Sequence, residues 1–266
     1  MRIVDIVVSG FGIYRRNLSL SFIPVARFFT YAVFGLLIAS IFLFASLALV
    51  AVNPMALAAL GVVALVFSAL GFLIIKSFYS ASMVGCANKA VSAQKITGQD
   101  IIEEGRRNWG RYLKTYLSLL SLVFPALALL VPGTALIALG QLSLGIAALV
   151  FTAGALTIAS GALTIALIPL KYTLYFGRGS VKDQLMGSWG FVKSHPAPTA
   201  VLYISATLLT QALTGVASIF YGPPMVLGEV GAIIGILIGA PLLLIAYSVS
   251  ESVTAIWWVK AVRETI

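Results

Sequence analysis

Six apolar runs, each long enough to cross a lipid bilayer as a helix, constrain this chain more than any other feature. A hydrocarbon core about 30 Å thick takes about 20 helical residues, so each run predicts one transmembrane helix. The runs cover residues of about 25–52, 54–76, 112–131, 143–171, 197–220 and 226–250. Residues 133–142 leave three alternatives open: a re-entrant piece, a helix extension or an apolar loop.

The charged residues predict how these helices are oriented. Only 9% of the residues are charged, against about a quarter in soluble proteins. All 17 Lys and Arg residues lie on the side of the two termini or at helix ends that face it, and the opposite connections hold one charged residue, Glu229. Under the positive-inside rule both termini are cytoplasmic, which predicts a multi-pass protein of the plasma or inner membrane.

The net charge of +9 follows from this topology and requires no nucleic-acid partner. A basic cytoplasmic face attracts anionic lipid headgroups, by about 1 kcal/mol for each basic residue near the surface. We therefore expect membrane lipids as partners. A second copy of the chain or another protein is a further candidate partner.

A short segment with an aromatic residue followed by Gly precedes three of the predicted spans. The three segments are FGIYRRN from Phe11, NWGRYLK from Asn108 and WGFVK from Trp189. Their glycines are 98 and 80 residues apart, at Gly12, Gly110 and Gly190. Such a recurrence indicates an internal repeat.

A second feature recurs with nearly the same spacing. Lys76, Lys171 and Glu251 lie near the ends of the second, fourth and sixth runs, 95 and 80 residues apart. Together the two features predict three parallel two-helix repeats of about 1–98, 99–180 and 181–266, within a single membrane domain of 1–266. The predicted fold is all-α, a six-helix bundle with pseudo-threefold symmetry and cytoplasmic amphipathic segments.

The 100–114 stretch has the composition of a basic amphipathic helix that lies in the headgroup plane. Apolar and aromatic residues alternate there with charged ones. The predicted interfacial anchors, here and in the third segment, are Trp109, Trp189, Arg106, Arg107 and Arg111. An ordinary connector between spans is the alternative.

The tracts KITGQDIIEEGRRNWGRYLK and DQLMGSWGFVKSHP, followed by apolar spans, carry a family resemblance. The chain resembles the six-span membrane proteins that include the membrane domain of some bacterial glycerophosphodiester phosphodiesterases. The resemblance implies an uncharacterised membrane module. It does not carry over the phosphodiesterase activity, because the paired His and the acidic metal cluster of the catalytic domain are missing here.

Three charges are expected at one level of the membrane. Lys76 lies 22 residues after Pro54, and Glu251 lies 22 residues after Glu229, about 33 Å along a helix. Ionisable groups inside membranes usually face the interior of a bundle and pair. We therefore predict that Lys76, Lys171 and Glu251 form a cluster at the inner mouth of a central cavity. Alternatively, the lysines reach separately to the headgroups.

Two further patterns mark single helix faces. Thr207, Gln211, Thr214 and Ser218 recur on one face of the fifth span, as a polar cavity lining or as interhelical hydrogen bonds. Gly231, Gly235 and Gly239 form a double GxxxG motif for close helix packing. Pro241 then predicts a kink in the sixth helix.

The sequence has no motif for catalysis or for binding a metal or cofactor. We expect a non-enzymatic membrane protein that needs no cofactor. The leading interpretation is a transporter-like or small-molecule- and lipid-handling module with a central cavity. The alternative is an accessory or scaffold protein that binds lipids or a protein partner through its glycine-rich helices and basic collar.

Overall fold

The computed structural model describes residues 3–49, 54–128, 131–167, 169–177, 179–220 and 228–265, and within these ranges the fold is helical without strands. A 3₁₀ turn covers Leu18–Ser21 and a π-helical segment covers Gly235–Gly239. The α-helices are α1 Ile3–Arg16, α2 Phe22–Leu49, α3 Pro54–Val91, α4 Gly98–Ala128, α5 Val131–Ala138, α6 Leu142–Leu167, α7 Leu170–Phe176, α8 Val181–Ser194, α9 Pro196–Ile219, α10 Glu229–Ile234 and α11 Ala240–Arg263. The predicted all-α class is confirmed.

Four segments of the described chain are long and apolar enough to cross a membrane. They are Leu18–Leu47, Val63–Val91, Pro196–Ile219 and Gly231–Arg263. Most of their side chains are not buried inside the protein, as expected for helices that face lipid. The chain is therefore a multi-pass membrane protein. The third and fourth predicted spans correspond to α4 and α6, whose side chains are described only in part, so the count of six stays a prediction.

The chain divides into two compact units. The first unit contains residues 1–110 and 197–266, and the second contains residues 111–196. The first and third predicted repeats fall mainly in the first unit, and the second repeat falls mainly in the second.

The packed core of the first unit lies at one end of its helices, which we call the basic end. There α1, the 3₁₀ turn, the last turns of α3 and the last turns of α11 bury their side chains against one another. Fully buried members include Ile6, Leu20, Val84, Ile256 and Trp258. Lipid tails are as apolar as Leu, so hydrophobic burial drives helix packing mainly where the helices leave the bilayer.

Polar contacts join α1 to α11 at the basic end. The Trp257 Nε1–H donates to the Val7 carbonyl at 3.1 Å, and the Lys260 Nζ donates to the Ser9 Oγ at 2.6 Å. Gly10 allows this approach, because a Cβ there would overlap the Trp257 ring. The first helix of the chain is thus bound to the last.

A charged cluster joins the end of α3 to the start of α4. The Lys89 Nζ lies 2.7 Å from an Asp100 Oδ and 3.3 Å from a Glu104 Oε. Asp100 also accepts from the Thr97 N–H at 2.8 Å, and the Thr97 hydroxyl accepts from the Asp100 N–H. The Lys89 ammonium and the Thr97 donors lower the pKa of Asp100 to about 2. This reciprocal capping box begins α4.

In the second unit, residues 131–138 form the short helix α5, which packs against α6. A Cβ at Gly133 would approach the Leu149 side chain to 2.7 Å, so the two helices are in close contact. Leu139 and Gly140 then turn the chain, with Gly140 at a φ of 80° that favours glycine. Within residues 133–142, the structure has the helix to Ala138, a turn at Leu139 and Gly140, and the start of α6 at Leu142.

Candidate functional site

An apolar groove on the first unit is large enough for a lipid-sized ligand. Its volume is about 690 Å³, within the ~300–1,000 Å³ typical of ligand pockets. It is lined by Phe28, Phe29, Ile236, Ala240, Pro241, Leu243, Leu244 and Tyr247. Because α2 and α11 both belong to predicted membrane spans, the groove opens among apolar, lipid-facing side chains.

The spacing of the α11 residues explains why they share one wall of the groove. Ala240, Leu243, Leu244 and Tyr247 follow the i, i+3, i+4, i+7 pattern that places residues on one helix face. Phe28 and Phe29 provide the opposite wall from α2. The groove is therefore built mainly from one face of α11 and from two adjacent aromatic rings.

A π-helical segment, Gly235–Gly239, precedes α11 and contributes Ile236 to the groove. Pro241 lacks a backbone N–H, and its ring conflicts with the carbonyl four residues before it. The wider turn immediately before Pro241 relieves this conflict, and it stands where the sequence predicted a kink. Single π-turns within helices often occur at functional sites.

A polar cluster lies beside the groove. The Arg27 Nη1 donates to the Glu251 Oε1 at 3.0 Å, and the Arg27 Nη2 donates to the Glu251 Oε2 at 2.5 Å and to the Tyr247 hydroxyl at 3.3 Å. Both side chains of the ion pair are only 14% exposed. Arg27 precedes Phe28, and Tyr247 also lines the groove, so the apolar groove has a charged, bidentate ion pair at its edge.

The structure gives Glu251 a partner that the sequence analysis did not assign to it. Arg27 forms a salt bridge with Glu251. Lys76 is exposed, and Lys171, in the second unit, lies 5.8 Å above the Tyr172 ring. The predicted cluster of Lys76, Lys171 and Glu251 stays a prediction. The signal for Arg27 was its position inside an apolar run, where a cation needs an anion.

The polar stripe on α9 has two kinds of member. The Thr214 hydroxyl donates to the Thr210 carbonyl at 2.7 Å, and the Ser218 hydroxyl donates to the Gly215 carbonyl at 2.7 Å. These two hydroxyls are therefore satisfied by their own helix. Thr207 and Gln211 are exposed at the surface of the described chain.

The predicted packing glycines and interfacial anchors can also be located. Gly231, Gly235 and Gly239 are all buried, as expected for a close-packing face. Trp109, Trp189, Arg106 and Arg107 are exposed, as headgroup anchors must be. Arg111 is different, because its Nη1 donates to the carbonyls of Leu174 and Gly177, each at 3.0 Å, and so caps the end of α7.

Comparison of the chain with protein-family models, with curated proteins and with solved structures finds no match. The groove and its polar cluster are therefore the features that bear on function. Within the described ranges, no group of three His, Cys, Asp or Glu side chains is arranged to hold a metal ion.

Proposed function

We propose that this chain is a non-enzymatic, six-span membrane protein that binds and handles lipids. The observation that carries the proposal is the apolar groove between α2 and α11 with the Arg27–Glu251 pair at its edge. A phospholipid has the matching pattern, an apolar chain joined to a charged headgroup. A transporter-like role through a central cavity remains part of this proposal.

The alternative role, a scaffold that binds partners through its glycine-rich helix, is less well supported. Gly231, Gly235 and Gly239 are buried within the chain itself. A face that is already covered has little surface left for another protein. The groove, by contrast, is open.

The groove predicts that the purified protein retains phospholipid. In native mass spectrometry of the protein in a mild detergent, we expect bound phospholipid on the wild type. Leu244→Trp fills the groove and should lower the affinity for the retained phospholipid about tenfold, which corresponds to ~1.4 kcal/mol of binding free energy. Ile245→Trp is the matched control, since Ile245 is adjacent, 56% exposed and outside the groove. Equal retention by Leu244→Trp and Ile245→Trp would count against the groove as the lipid site.

The proposed repeat is supported by the helices that precede the spans. α1 and α8 each have 14 residues. The residues that follow them have nearly identical backbone angles, with φ −131° and ψ 52° at Asn17 and φ −132° and ψ 56° at His195. α4 and α8 begin at residues 98 and 181, next to the predicted repeat boundaries, and each has a capping box. In the second copy, the residue equivalent to Asn17 and His195 is Thr115. It lies inside the continuous helix α4, so this copy departs from the pattern.

Burial and packing support the same register. Ile6, Glu104 and Gln184 are 98 and 80 residues apart, like the motif glycines, and all three are buried. Each helix that begins a copy packs on a helix that ends another. The pairs are α1 with α11, the start of α4 with α3, and α8 with α7. A shared pattern of contacts is what a repeat requires.

The six-span topology with cytoplasmic termini predicts opposite exposure for two sites. Cys86 is buried, and replacing it with Ser allows single cysteines to be introduced elsewhere. In intact cells or right-side-out vesicles, a membrane-impermeant maleimide should label Gln141→Cys and not Lys193→Cys, while permeabilised membranes should show both. If only the four segments Leu18–Leu47, Val63–Val91, Pro196–Ile219 and Gly231–Arg263 crossed the membrane, residues 141 and 193 would share one side. Labelling of both or neither in intact cells would therefore refute the six-span topology.

A further inference from the structure

A second, smaller pocket lies at the basic end of the first unit, apart from the groove. Its volume is about 220 Å³, which equals that of about seven water molecules at ~30 Å³ each. The end of α1 lines it with Ile13, Arg16 and Asn17, and the connector after α3 lines it with Ala93, Gln94 and Lys95. A pocket of this size takes a small group rather than a whole drug-sized molecule.

The charge of the pocket is positive. Arg16 and Lys95 both line it, and none of its lining residues is Asp or Glu. In the part of the chain that the structure describes, neither cation makes an ion pair or a side-chain hydrogen bond, whereas Lys89 and Lys260 do. Two unneutralised cations at one small concavity favour an anion.

The helix ends beside the pocket do not cancel this charge. Carbonyl groups at a helix C-terminus carry partial negative charge and would repel an anion. Here the Asn17 N–H and Nδ2 donate to the carbonyls of Tyr14 and Ile13 at 2.8 and 3.2 Å. The Gln94 N–H donates to the Lys89 carbonyl at 3.0 Å. Capping donors thus engage the carbonyls of Ile13, Tyr14 and Lys89 at these two helix ends.

We propose that this pocket binds a phosphate group, either on a phospholipid headgroup or as free phosphate. Arg and Lys are the side chains that proteins use for this group. Its location favours the lipid source, because the exposed Leu18 and Phe22 follow Asn17 and lead directly into α2. The inference rests on the proposed function only in taking the basic end to lie at a headgroup surface.

The test is a titration of the full chain in detergent with three soluble probes. They are dihexanoyl phosphatidic acid, dihexanoylglycerol (the same lipid without the phosphate) and inorganic phosphate, each followed by thermal stabilisation. We expect saturable binding of phosphatidic acid that the double variant Arg16→Gln/Lys95→Gln weakens about tenfold or more. The control Arg15→Gln/Lys182→Gln also removes two exposed positive charges, but from outside the pocket. Because these two charges do not line the pocket, the control should weaken binding clearly less than Arg16→Gln/Lys95→Gln does.

The outcomes separate the two sources and the two proposals. Tighter binding of phosphatidic acid than of inorganic phosphate identifies a lipid headgroup, and equal binding identifies free phosphate. Equal losses in both double variants, or dihexanoylglycerol binding as tightly as phosphatidic acid, would overturn the phosphate site. The loss of phosphatidic acid affinity in Arg16→Gln/Lys95→Gln relative to Arg15→Gln/Lys182→Gln reports on this pocket. Lipid retention by Leu244→Trp relative to Ile245→Trp reports on the groove, so a failure of one proposal is distinguishable from a failure of the other.

Discussion

Replacing Glu251 with Ala is expected to destabilise the protein by about 3–5 kcal/mol, because it leaves the Arg27 guanidinium without its anion in a largely buried position. Glu251 accepts two hydrogen bonds from Arg27, at 3.0 and 2.5 Å. The measurement is the free energy of unfolding in mixed detergent micelles. Glu264→Ala is the control, since its 3.8 Å contact with Lys260 is more exposed and should contribute less than about 1 kcal/mol.

A double variant separates the lost pair from the lost side chain. Arg27→Met/Glu251→Leu removes both charges and should be clearly more stable than Glu251→Ala, since apolar residues of similar size often replace a buried pair at little cost. A strong coupling of Lys76→Met to Glu251→Ala would instead support the predicted cluster with the lysines. If Glu251→Ala had the same free energy of unfolding as the wild type, the ion pair would contribute nothing to stability.

Gly10→Ala is expected to destabilise the protein by about 1–3 kcal/mol, the usual cost of overpacking a filled core. A Cβ at Gly10 would overlap the Trp257 ring, which is buried and donates to the Val7 carbonyl. Thermal unfolding of the purified variant in detergent provides the measurement. The loss of stability should be smaller in the double variant Gly10→Ala/Trp257→Phe, because the smaller Phe ring makes room for the added methyl group.

Gly12→Ala on the same helix is the matched control. No heavy atom lies within 4 Å of a Cβ built at Gly12, so the added methyl group meets open space. Since Ala favours a helix over Gly by up to ~1 kcal/mol, this variant should unfold at the same or a slightly higher temperature than the wild type. Equal effects of Gly10→Ala and Gly12→Ala on stability would mean that the Trp257 ring does not limit the size of the side chain at residue 10.

These two glycines show which pattern the sequence predicted and which contact it did not reveal. The recurrence of Gly12, Gly110 and Gly190 predicted repeated helices before the spans, and α1 and α8 have equal lengths. Yet a Cβ at any of the three motif glycines would meet open space. The glycine that packing does require, Gly10, belongs to no recurring motif, and its role depends on Trp257, 247 residues away along the chain.

The features that the amino-acid sequence determines by itself depend on residues that lie close together in the chain. Apolar length specifies membrane-crossing helices, Ser and Thr capping boxes specify where α4 and α8 begin, and both depend only on neighbours within a few turns. The groove and the Arg27–Glu251 pair needed the tertiary structure, because they join α2 to α11 across 224 residues of chain. Local patterns showed that Glu251 needed a cation, but several basic residues satisfied that rule. The packing of the two helices is what places Arg27 against Glu251.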